Sequence, residues 1–392
     1  MRALALIVAL ALLAGCSSRS GTSMWRDFSL NPMDWFGGTK ASAKMAPLPP
    51  VTDAVKASVS WQASVGPSGA NVFTPAVVGE RVYAAAADGT VVALDAATGR
   101  QIWRVNAEAR LSAGVGASAD LVVVGTEEGD AIALDANGER RWRARVSSEV
   151  LAPPLVAGDL VVVRAADNRI FALDASDGRR RWVYQRALPP LAVRSPVGVS
   201  AGGGVVLAGF SGGKLVALAP TNGAVRWEGN VAIPKGTTEL ERVTDVVGRP
   251  WVADREVCAV AYQGRLACFD LANGTPAWTR DLSSTSGVLG DARFVYVADD
   301  KGAAHALDRA TGRSVWKQDK LAFRNLSAPL PLGREVAVAD IQGYVHLLAR
   351  DTGAIVGRVA TDGSPVSTNP VPFGRGFIVQ TRNGGVYAIA VD

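Results

Sequence analysis

The amino-acid sequence predicts an all-β fold, a single eight-bladed β-propeller of four-stranded antiparallel blades whose ring is closed by an N-terminal strand. Three observations support this prediction: a repeat of about 40 residues, hairpins that share one pattern, and a strand near the N-terminus that completes the last hairpin. The 392 residues are 48% hydrophobic and 20% charged, so the chain can bury a large core. A fixed period of this length favours one ring over several separate domains.

Tryptophan marks the end of each repeat. Similar segments such as GTVVALDAATGRQIW (89–103) and GAAHALDRATGRSVW (302–316) contain a turn glycine, an apolar strand, a capping Asp, a Thr-Gly turn and the Trp. The large flat indole predicts packing of each blade on its neighbour. These docking residues are Trp61, Trp103, Trp142, Trp182, Trp227, Trp278 and Trp316. After Trp316 the repeat frame reaches Gly357, where the Trp is missing.

The two ends of the repeat region complement each other. The last hairpin, GFIVQTRNGGVYAIAVD (376–392), has no Trp strand after it, whereas the strand KASVSWQAS (56–64) precedes any hairpin. If the first strand pairs with the last hairpin, eight hairpins meet eight outer strands and no edge of the ring is left unpaired. The predicted propeller therefore spans residues 57–392.

The N-terminus predicts a lipoprotein. Arg2 and the apolar run 3–13 have the pattern of a secretory signal, and the run is too short to span a bilayer. The segment LAGC (13–16) resembles the bacterial lipobox. Residues 1–15 are therefore predicted to be a signal peptide and Cys16 the acylated mature N-terminus.

Residues 16–56 predict a lipidated flexible tether, because they are rich in Ser, Gly and Pro and lack periodicity. By resemblance to lipoprotein sorting, Ser17 favours the outer membrane and a position on its periplasmic face. Four tether aromatics are candidates for contact with the membrane or with a partner, the alternative being that they are incidental: Trp25, Phe28, Trp35 and Phe36.

The sequence argues against nucleic-acid binding and against catalysis. The net charge of +5 is spread over the whole chain without a Lys/Arg block, so no nucleic-acid partner is expected. No phosphate-binding loop, nucleophile elbow or HExxH motif is present. His305 and His346 occupy equivalent strand positions, and two histidines without a third ligand make a poor metal site. We expect packed strand histidines, no metal and no cofactor.

Cys258 and Cys268 flank the hairpin turn Gln263-Gly264. With Gln263 at the centre of the turn the two cysteines lie opposite each other, whereas a strict two-residue turn puts them one step out of register. A disulfide is allowed outside the cytosol, and reduced core cysteines are the alternative.

Two long connections interrupt the repeat. ALPPLAVRSPVGV (187–199) and AIPKGTTELERVTDVVGRPW (232–251) follow the outer strands of successive blades, so we expect them side by side on one face of the ring. Apolar side chains beside Arg and acidic groups are typical of a protein-binding surface, and tolerated insertions are the alternative. The candidate contact residues are Leu191, Val193, Arg194, Glu239, Glu241, Arg242 and Asp245.

The lipobox, the tether, the repeats and the segments KMAPLP (44–49), LAVRSPV (191–197) and TTELERVTDV (237–246) together resemble the BamB family, lipoproteins of the outer-membrane β-barrel assembly machinery. The resemblance covers essentially the whole chain. It implies a non-enzymatic scaffold that binds the periplasmic POTRA domains of BamA and aids insertion of β-barrel proteins, with unfolded clients as further partners.

By this resemblance, Leu191, Val193 and Arg194 carry the contact with BamA, and Asp245 lies in a second contributing segment. Two alternatives remain at this point. One is a quinoprotein dehydrogenase, which shares the propeller but is usually longer and carries adjacent cysteines. The other is a periplasmic glycan-binding propeller.

Overall fold

The computed structural model describes residues 44–51 and 55–392. The predicted signal peptide, Cys16 and the four tether aromatics lie outside the described residues. The chain divides into two units, Met1–Lys44 and Met45–Asp392, and the second contains the ring. Among the described residues, no helix is long and apolar enough to cross a membrane.

Strands β1 to β33 form eight sheets, one for each blade. Blades 1 and 2 contain β3 (Ala76–Val78), β4 (Arg81–Ala85), β5 (Thr90–Asp95), β6 (Gln101–Asn106), β7 (Leu111–Ala117), β8 (Leu121–Thr126), β9 (Asp130–Asp135) and β10 (Arg140–Arg145). Blades 3 and 4 contain β11 (Leu155–Ala157), β12 (Leu160–Arg164), β13 (Arg169–Asp174), β14 (Arg180–Gln185), β15 (Val199–Gly202), β16 (Val205–Phe210), β17 (Lys214–Leu218) and β18 (Val225–Asn230).

Blades 5 and 6 contain β19 (Val246–Ala253), β20 (Glu256–Ala261), β21 (Arg265–Asp270), β22 (Pro276–Asp281), β23 (Val288–Gly290), β24 (Phe294–Ala298), β25 (Ala304–Asp308) and β26 (Ser314–Gln318). Blades 7 and 8 contain β27 (Leu330–Leu332), β28 (Glu335–Ala339), β29 (Tyr344–Ala349), β30 (Ile355–Ala360), β31 (Val371–Phe373), β32 (Gly376–Gln380), β33 (Gly385–Val391) and β1 (Ala57–Ser64). The short β2 (Val72–Phe73) pairs parallel with β7. The predicted eight-bladed propeller of antiparallel blades is confirmed.

The hydrophobic core lies between neighbouring blades. The two middle strands of a blade are buried on both faces, as in β8 and β9, because each face packs against an adjacent blade. One such core joins Leu207 and Trp227 of blade 4 to Phe269 of blade 5. Each blade interface is therefore a small core of its own, repeated around the ring.

Seven blade interfaces share a Trp–Gly contact. Each indole N–H donates a hydrogen bond of 2.6 to 2.9 Å to a backbone carbonyl of the next blade. The indole ring also covers the turn glycine of that blade, where an added Cβ would lie only 2.4 to 3.0 Å from the ring. These glycines have φ between 65° and 86°, and they are Gly99, Gly138, Gly178, Gly223, Gly274, Gly312 and Gly353. Glycine is therefore required both by the backbone and by the indole.

The interface between blades 7 and 8, which we call the closing interface, is built differently. Strand β1 pairs antiparallel with β33, with Ala57 opposite Val391, so the predicted closure by an N-terminal strand is confirmed. In the described residues, β33 of blade 8 is paired with β1 and is not joined to it by a glycine turn that a Trp could cover. At the position of the missing Trp, Gly357 leaves room for Val55, whose amide donates to the Val356 carbonyl at 3.1 Å.

Part of the predicted tether contacts the ring. The segment 45–51, which we call the strap, donates from the Ala46 amide to the Ala322 carbonyl at 2.9 Å. In return, Arg324 donates to the Ala46 carbonyl at 3.0 Å and Arg358 to the Pro49 carbonyl at 2.8 Å. Hydrogen-bonded contact with the propeller therefore begins about ten residues before the predicted boundary at 57.

A buried charged network lies beneath the strap. Asp340 accepts hydrogen bonds from Arg324 Nε at 2.6 Å and from His346 Nε2 at 3.0 Å. His346 Nδ1 accepts from Arg358 Nε at 3.1 Å, so the ring proton sits on Nε2. Burial lowers the pKa of His346. Burial would raise the pKa of Asp340, but its hydrogen bonds outweigh this effect and hold the pKa below its usual value.

The two histidines pack as strand residues within their own blades. His305 Nε2 lies 2.9 Å from the carboxylate of Asp299, as His346 does from Asp340 in the next blade. Cys258 and Cys268 are directly opposite on β20 and β21 and form a buried disulfide. Gln263 has a φ of 48° in the turn between them, which sets this register.

Candidate partner-binding site

Two neighbouring loops form the candidate site. Loop A (186–198) connects β14 to β15, and loop B (231–245) connects β18 to β19. Leu191 of loop A and Glu239 and Arg242 of loop B line a shared cleft of about 280 Å³. The sequence predicted this adjacency from the equivalent places of the two loops in successive blades.

Asp245 fastens the two loops together. Its side chain is buried, and its carboxylate accepts hydrogen bonds from the Val193 amide at 2.6 Å and from the Gly212 amide at 3.2 Å. A carboxylate that accepts backbone N–H groups in a buried site fixes the chain around it. The structure therefore places Asp245 inside the site, where it positions Val193, rather than on the exposed surface.

Arg164 supplies positive charge beneath this junction. Burial lowers the pKa of Arg164 to about 10, while the nearby charge of Asp245 opposes that shift. Its guanidinium donates to the Gly209 carbonyl and to Asn168 Oδ1, and it stacks over the Phe210 ring at 4.9 Å from the centroid. Sequence reasoning missed Arg164, because it belongs to blade 3 and no interruption of the repeat marks it.

Arg194 lies at the surface of loop A. Its side chain is 58% exposed, and Nη2 pairs with Glu149 Oε1 at 2.7 Å. Glu149 belongs to the connection between β10 and β11, one blade earlier on the ring. The pair holds the guanidinium in a defined place while leaving most of it open to a partner.

Loop B is stiffened by its own turn. The Glu241 carboxylate accepts hydrogen bonds from the amides of Thr237 and Thr238 at 2.9 and 3.1 Å, which hold the pKa of Glu241 below its usual value. The Arg242 amide donates to the Thr238 carbonyl at 3.1 Å, and the Arg242 side chain is exposed. Glu241 therefore shapes the loop, and Arg242 is the available charge.

Exposed apolar side chains surround the cleft. Ile233 and Leu240 of loop B are 62% and 68% exposed, and Leu188 and Leu191 of loop A are also exposed. Exposed large apolar residues gathered on two adjacent loops indicate an interaction surface. Only Leu191 of these four was predicted. Leu240 carried a usable signal in the sequence, since it lies between Glu239 and Glu241, whereas Leu188 and Ile233 each follow an alanine and precede a proline.

A cavity of about 920 Å³ occupies the axis of the ring. Inner-strand segments of all eight blades line this axial cavity, with Arg194, Arg249 and Arg382 as its charged residues. No carboxylate lines it in the described part of the chain. Within the same residues, no cluster of three or more His, Cys, Asp or Glu side chains is placed to hold a metal ion. Three arginines without acidic ligands form a donor set unsuited to calcium.

Comparisons with known proteins agree with this arrangement. The family model described as outer membrane protein assembly factor BamB matches residues 87–318, and one described as the β-propeller domain of glucose/ethanol/alcohol dehydrogenase matches residues 52–119. BamB of Bordetella pertussis is 41% identical over 82% of this chain and 81% of its own length. BamB of Burkholderia pseudomallei is 43% identical over 70% of this chain and 72% of its own length.

Solved structures give the same picture. BamB from Moraxella catarrhalis superimposes with a TM-score of 0.79 at 30% identity, covering 86% of this chain and 100% of that chain. A quinohemoprotein alcohol dehydrogenase from Comamonas testosteroni has a TM-score of 0.66 at 15% identity, covering 86% of this chain and 77% of that chain. This second likeness is one of fold alone.

Proposed function

Because this chain belongs to the BamB family of outer membrane protein assembly factors, we propose that it is a non-enzymatic scaffold subunit of the β-barrel assembly complex. Its partners are the periplasmic POTRA domains of BamA, with unfolded β-barrel proteins as further clients. The acyl chains on Cys16 hold it to the outer membrane on the periplasmic face, which raises its effective concentration near BamA.

One observation carries the proposal: loops A and B are fixed in place although they are long and exposed. The buried Asp245 carboxylate ties Val193 to loop B, and Glu241 closes the turn of loop B. A surface that is ordered before binding loses little conformational entropy when a partner docks. Long loops that were only tolerated insertions would not need hydrogen bonds that hold them in one conformation.

The side chains on these loops suit a protein partner. Leu191, Ile233 and Leu240 present exposed apolar surface on the two loops, and Arg194 and Arg242 present exposed charge on them. Apolar anchors with an Arg among them are typical of the residues that dominate binding energy at protein interfaces. In this proposal Leu191 and Leu240 fill apolar pockets on BamA, and Arg194 donates to a carboxylate or to carbonyl oxygens.

Replacement of Arg194 by Glu tests the proposal. We expect Arg194→Glu to abolish co-purification of BamA from outer membranes, because the new carboxylate is repelled by Glu149 and cannot donate to the partner. The melting temperature of the isolated protein should shift little, because an exposed ion pair contributes only about 0 to 1 kcal/mol to folding.

The matched control is Arg226→Glu, which makes the same charge change at an exposed position on β18 away from the loops. That variant should retain BamA at the wild-type level. Retention of BamA by Arg194→Glu would contradict the assignment of the contact to loop A. Loss of BamA from both variants would show that net charge, and not this surface, governs binding.

A further inference from the structure

The axial cavity contains an arginine without an acidic partner. Arg249 lies in the irregular part of β19, where the pairing with β20 skips from Val247 to Trp251. The stem of Arg249 packs against Gly198, where an added Cβ would lie 3.2 Å from the Arg249 Cβ. The Arg249 side chain therefore begins beside Gly198, the last residue of loop A, and lines the cavity.

Most of the donor groups of Arg249 have no protein acceptor. Nε donates to Ser200 Oγ at 3.1 Å, and Ser200 in turn donates to the Pro250 carbonyl. The four N–H groups on the two Nη atoms find no acceptor, and no ion pair is formed, within the described residues. Arg249 is exposed to solvent in the cavity, but the surrounding protein partly desolvates the guanidinium and lowers its pKa, with no carboxylate nearby to oppose the shift.

Three residues that line the cavity carry hydroxyl groups without hydrogen-bond partners. The Oγ atoms of Ser195 and Ser286 and the Oγ1 atom of Thr368 are buried and form no hydrogen bond. The backbone of Ser286 lies near Gly248, where an added Cβ would be 3.1 Å from the Ser286 carbonyl oxygen. These three oxygen atoms have almost no accessible surface and are closed to a molecule in the cavity, whereas the Arg249 side chain is exposed to it.

The charge in the cavity has one sign. Arg194 is paired with Glu149, which is not among the lining residues, whereas Arg249 and Arg382 have no carboxylate partner in the described chain. A positively charged cavity with low-dielectric walls attracts anions. Its volume of about 920 Å³ falls in the range of small-molecule sites.

We propose that the axial cavity binds a small molecule through a carboxylate or phosphate group, held by the two Nη atoms of Arg249. The planar guanidinium matches both groups with two parallel hydrogen bonds. Arg249 lies outside loops A and B, although Arg194 of loop A also lines the cavity, so an Arg249 variant tests this site without changing a residue of the proposed contact with BamA.

Titration calorimetry tests this site with two probes, malonate and inorganic phosphate, at fixed ionic strength on the purified full-length protein in detergent. We expect saturable binding of at least one probe to one site. Arg249→Gln should weaken that binding at least about tenfold, because charge-assisted hydrogen bonds are lost. The tighter of the two probes identifies the favoured anionic group.

Arg226→Gln is the matched control, since it removes one exposed arginine outside the cavity, and it should bind both probes as the wild type does. Each variant is first shown to melt like the wild type, which excludes unfolding as the cause of a loss. Absence of saturable binding of both probes up to about 10 mM, or equal affinities in the wild type and Arg249→Gln, would overturn the proposal.

Discussion

The seven Trp–Gly interfaces and the closing interface hold neighbouring blades together by different contacts. In the seven, an indole covers a turn glycine of the next blade and donates to its backbone, as Trp227 does with Gly274 and the Leu271 carbonyl. At the closing interface there is no indole, and Gly357 faces Val55 instead. The strap forms hydrogen bonds with Arg358 of β30, on the blade 7 side of this interface, and with Ala322 and Arg324 in the connection between β26 and β27.

The difference shows that the Trp and the turn glycine form one unit. Each of the seven Trp residues covers a positive-φ glycine in the turn of the following blade, and at the closing interface both the Trp and this glycine are missing from the described residues. The closing interface replaces this local unit by pairing between the two ends of the chain. Its stability therefore rests on β1 and on charged contacts of the strap, which can be removed separately from the seven Trp–Gly units.

Among these changes, removal of β1 should have the largest effect on the folding and the monomeric state of the protein. A chain that begins at residue 65 leaves β33 as an open edge and lacks Trp61, whose indole joins blade 8 to blade 1. We expect loss of cooperative melting and self-association through the exposed edge, measured by circular dichroism and size-exclusion chromatography. A chain that begins at Met45 keeps β1 and the strap and should remain monomeric. A monomeric, cooperatively melting chain without β1 would refute the role of this strand in closure.

Replacing either residue of a Trp–Gly unit should lower the free energy of unfolding strongly, and the effects of the two replacements should be coupled. Trp227→Ala is expected to lower the free energy of unfolding by about 3 to 5 kcal/mol, because it empties a buried interface. Gly274→Ala should also be costly, since its Cβ would lie 2.5 Å from the indole at a φ of 73°. If the two residues form one unit, the double variant costs less than the sum of the single variants in urea denaturation.

Gly79→Ala is the matched control for this cycle. Its φ of 56° is equally left-handed, but no atom lies within 4 Å of an added Cβ. We expect only the backbone strain, about 1 kcal/mol, and no coupling to Trp227. Additive effects of Trp227→Ala and Gly274→Ala would show that the two residues contribute independently.

The sequence predicts the ring because the fold is repetitive. One spacing of Gly, Asp and Trp recurs in successive blades, and each copy confirms the register of the others. Closure follows from the same pattern, since a lone strand at one end matches a lone hairpin at the other. The position of the candidate site follows from the two longest interruptions.

The roles of particular side chains do not follow from the pattern. Asp245 was expected at the exposed contact, but its carboxylate reaches a backbone amide 52 residues earlier in the chain. Arg249 and the strap likewise act through single contacts between distant segments. Such contacts occur once in the molecule, and no repeated copy reveals them. Periodicity therefore predicts the scaffold, while unique tertiary pairings have to be observed.

The smallest expected effect is a pH dependence of stability through His346. It involves the closing interface and not the Trp–Gly interfaces. Burial lowers the pKa of His346 in the folded protein, whereas an unfolded chain has a histidine pKa of about 6.5. The stability that comes from the neutral ring is therefore fully present above about pH 6.5 and is lost as the pH falls from there toward the folded pKa. Protonation would also place a proton on Nδ1, which accepts from Arg358, the residue that holds the strap at Pro49.

Replacement of His346 by Gln removes this titration. The free energy of unfolding of the wild type should fall more steeply than that of His346→Gln between about pH 7 and pH 5, measured by urea denaturation at each pH. Hydrogen exchange at the Ala46 amide should accelerate over the same interval in the wild type, because the strap is released with Arg358. Interfaces held by Trp–Gly units contain no such titrating contact to the strap, so amides in β8 and β9 should remain protected throughout. Equal pH slopes for the two proteins would remove His346 from the network that secures the closing interface.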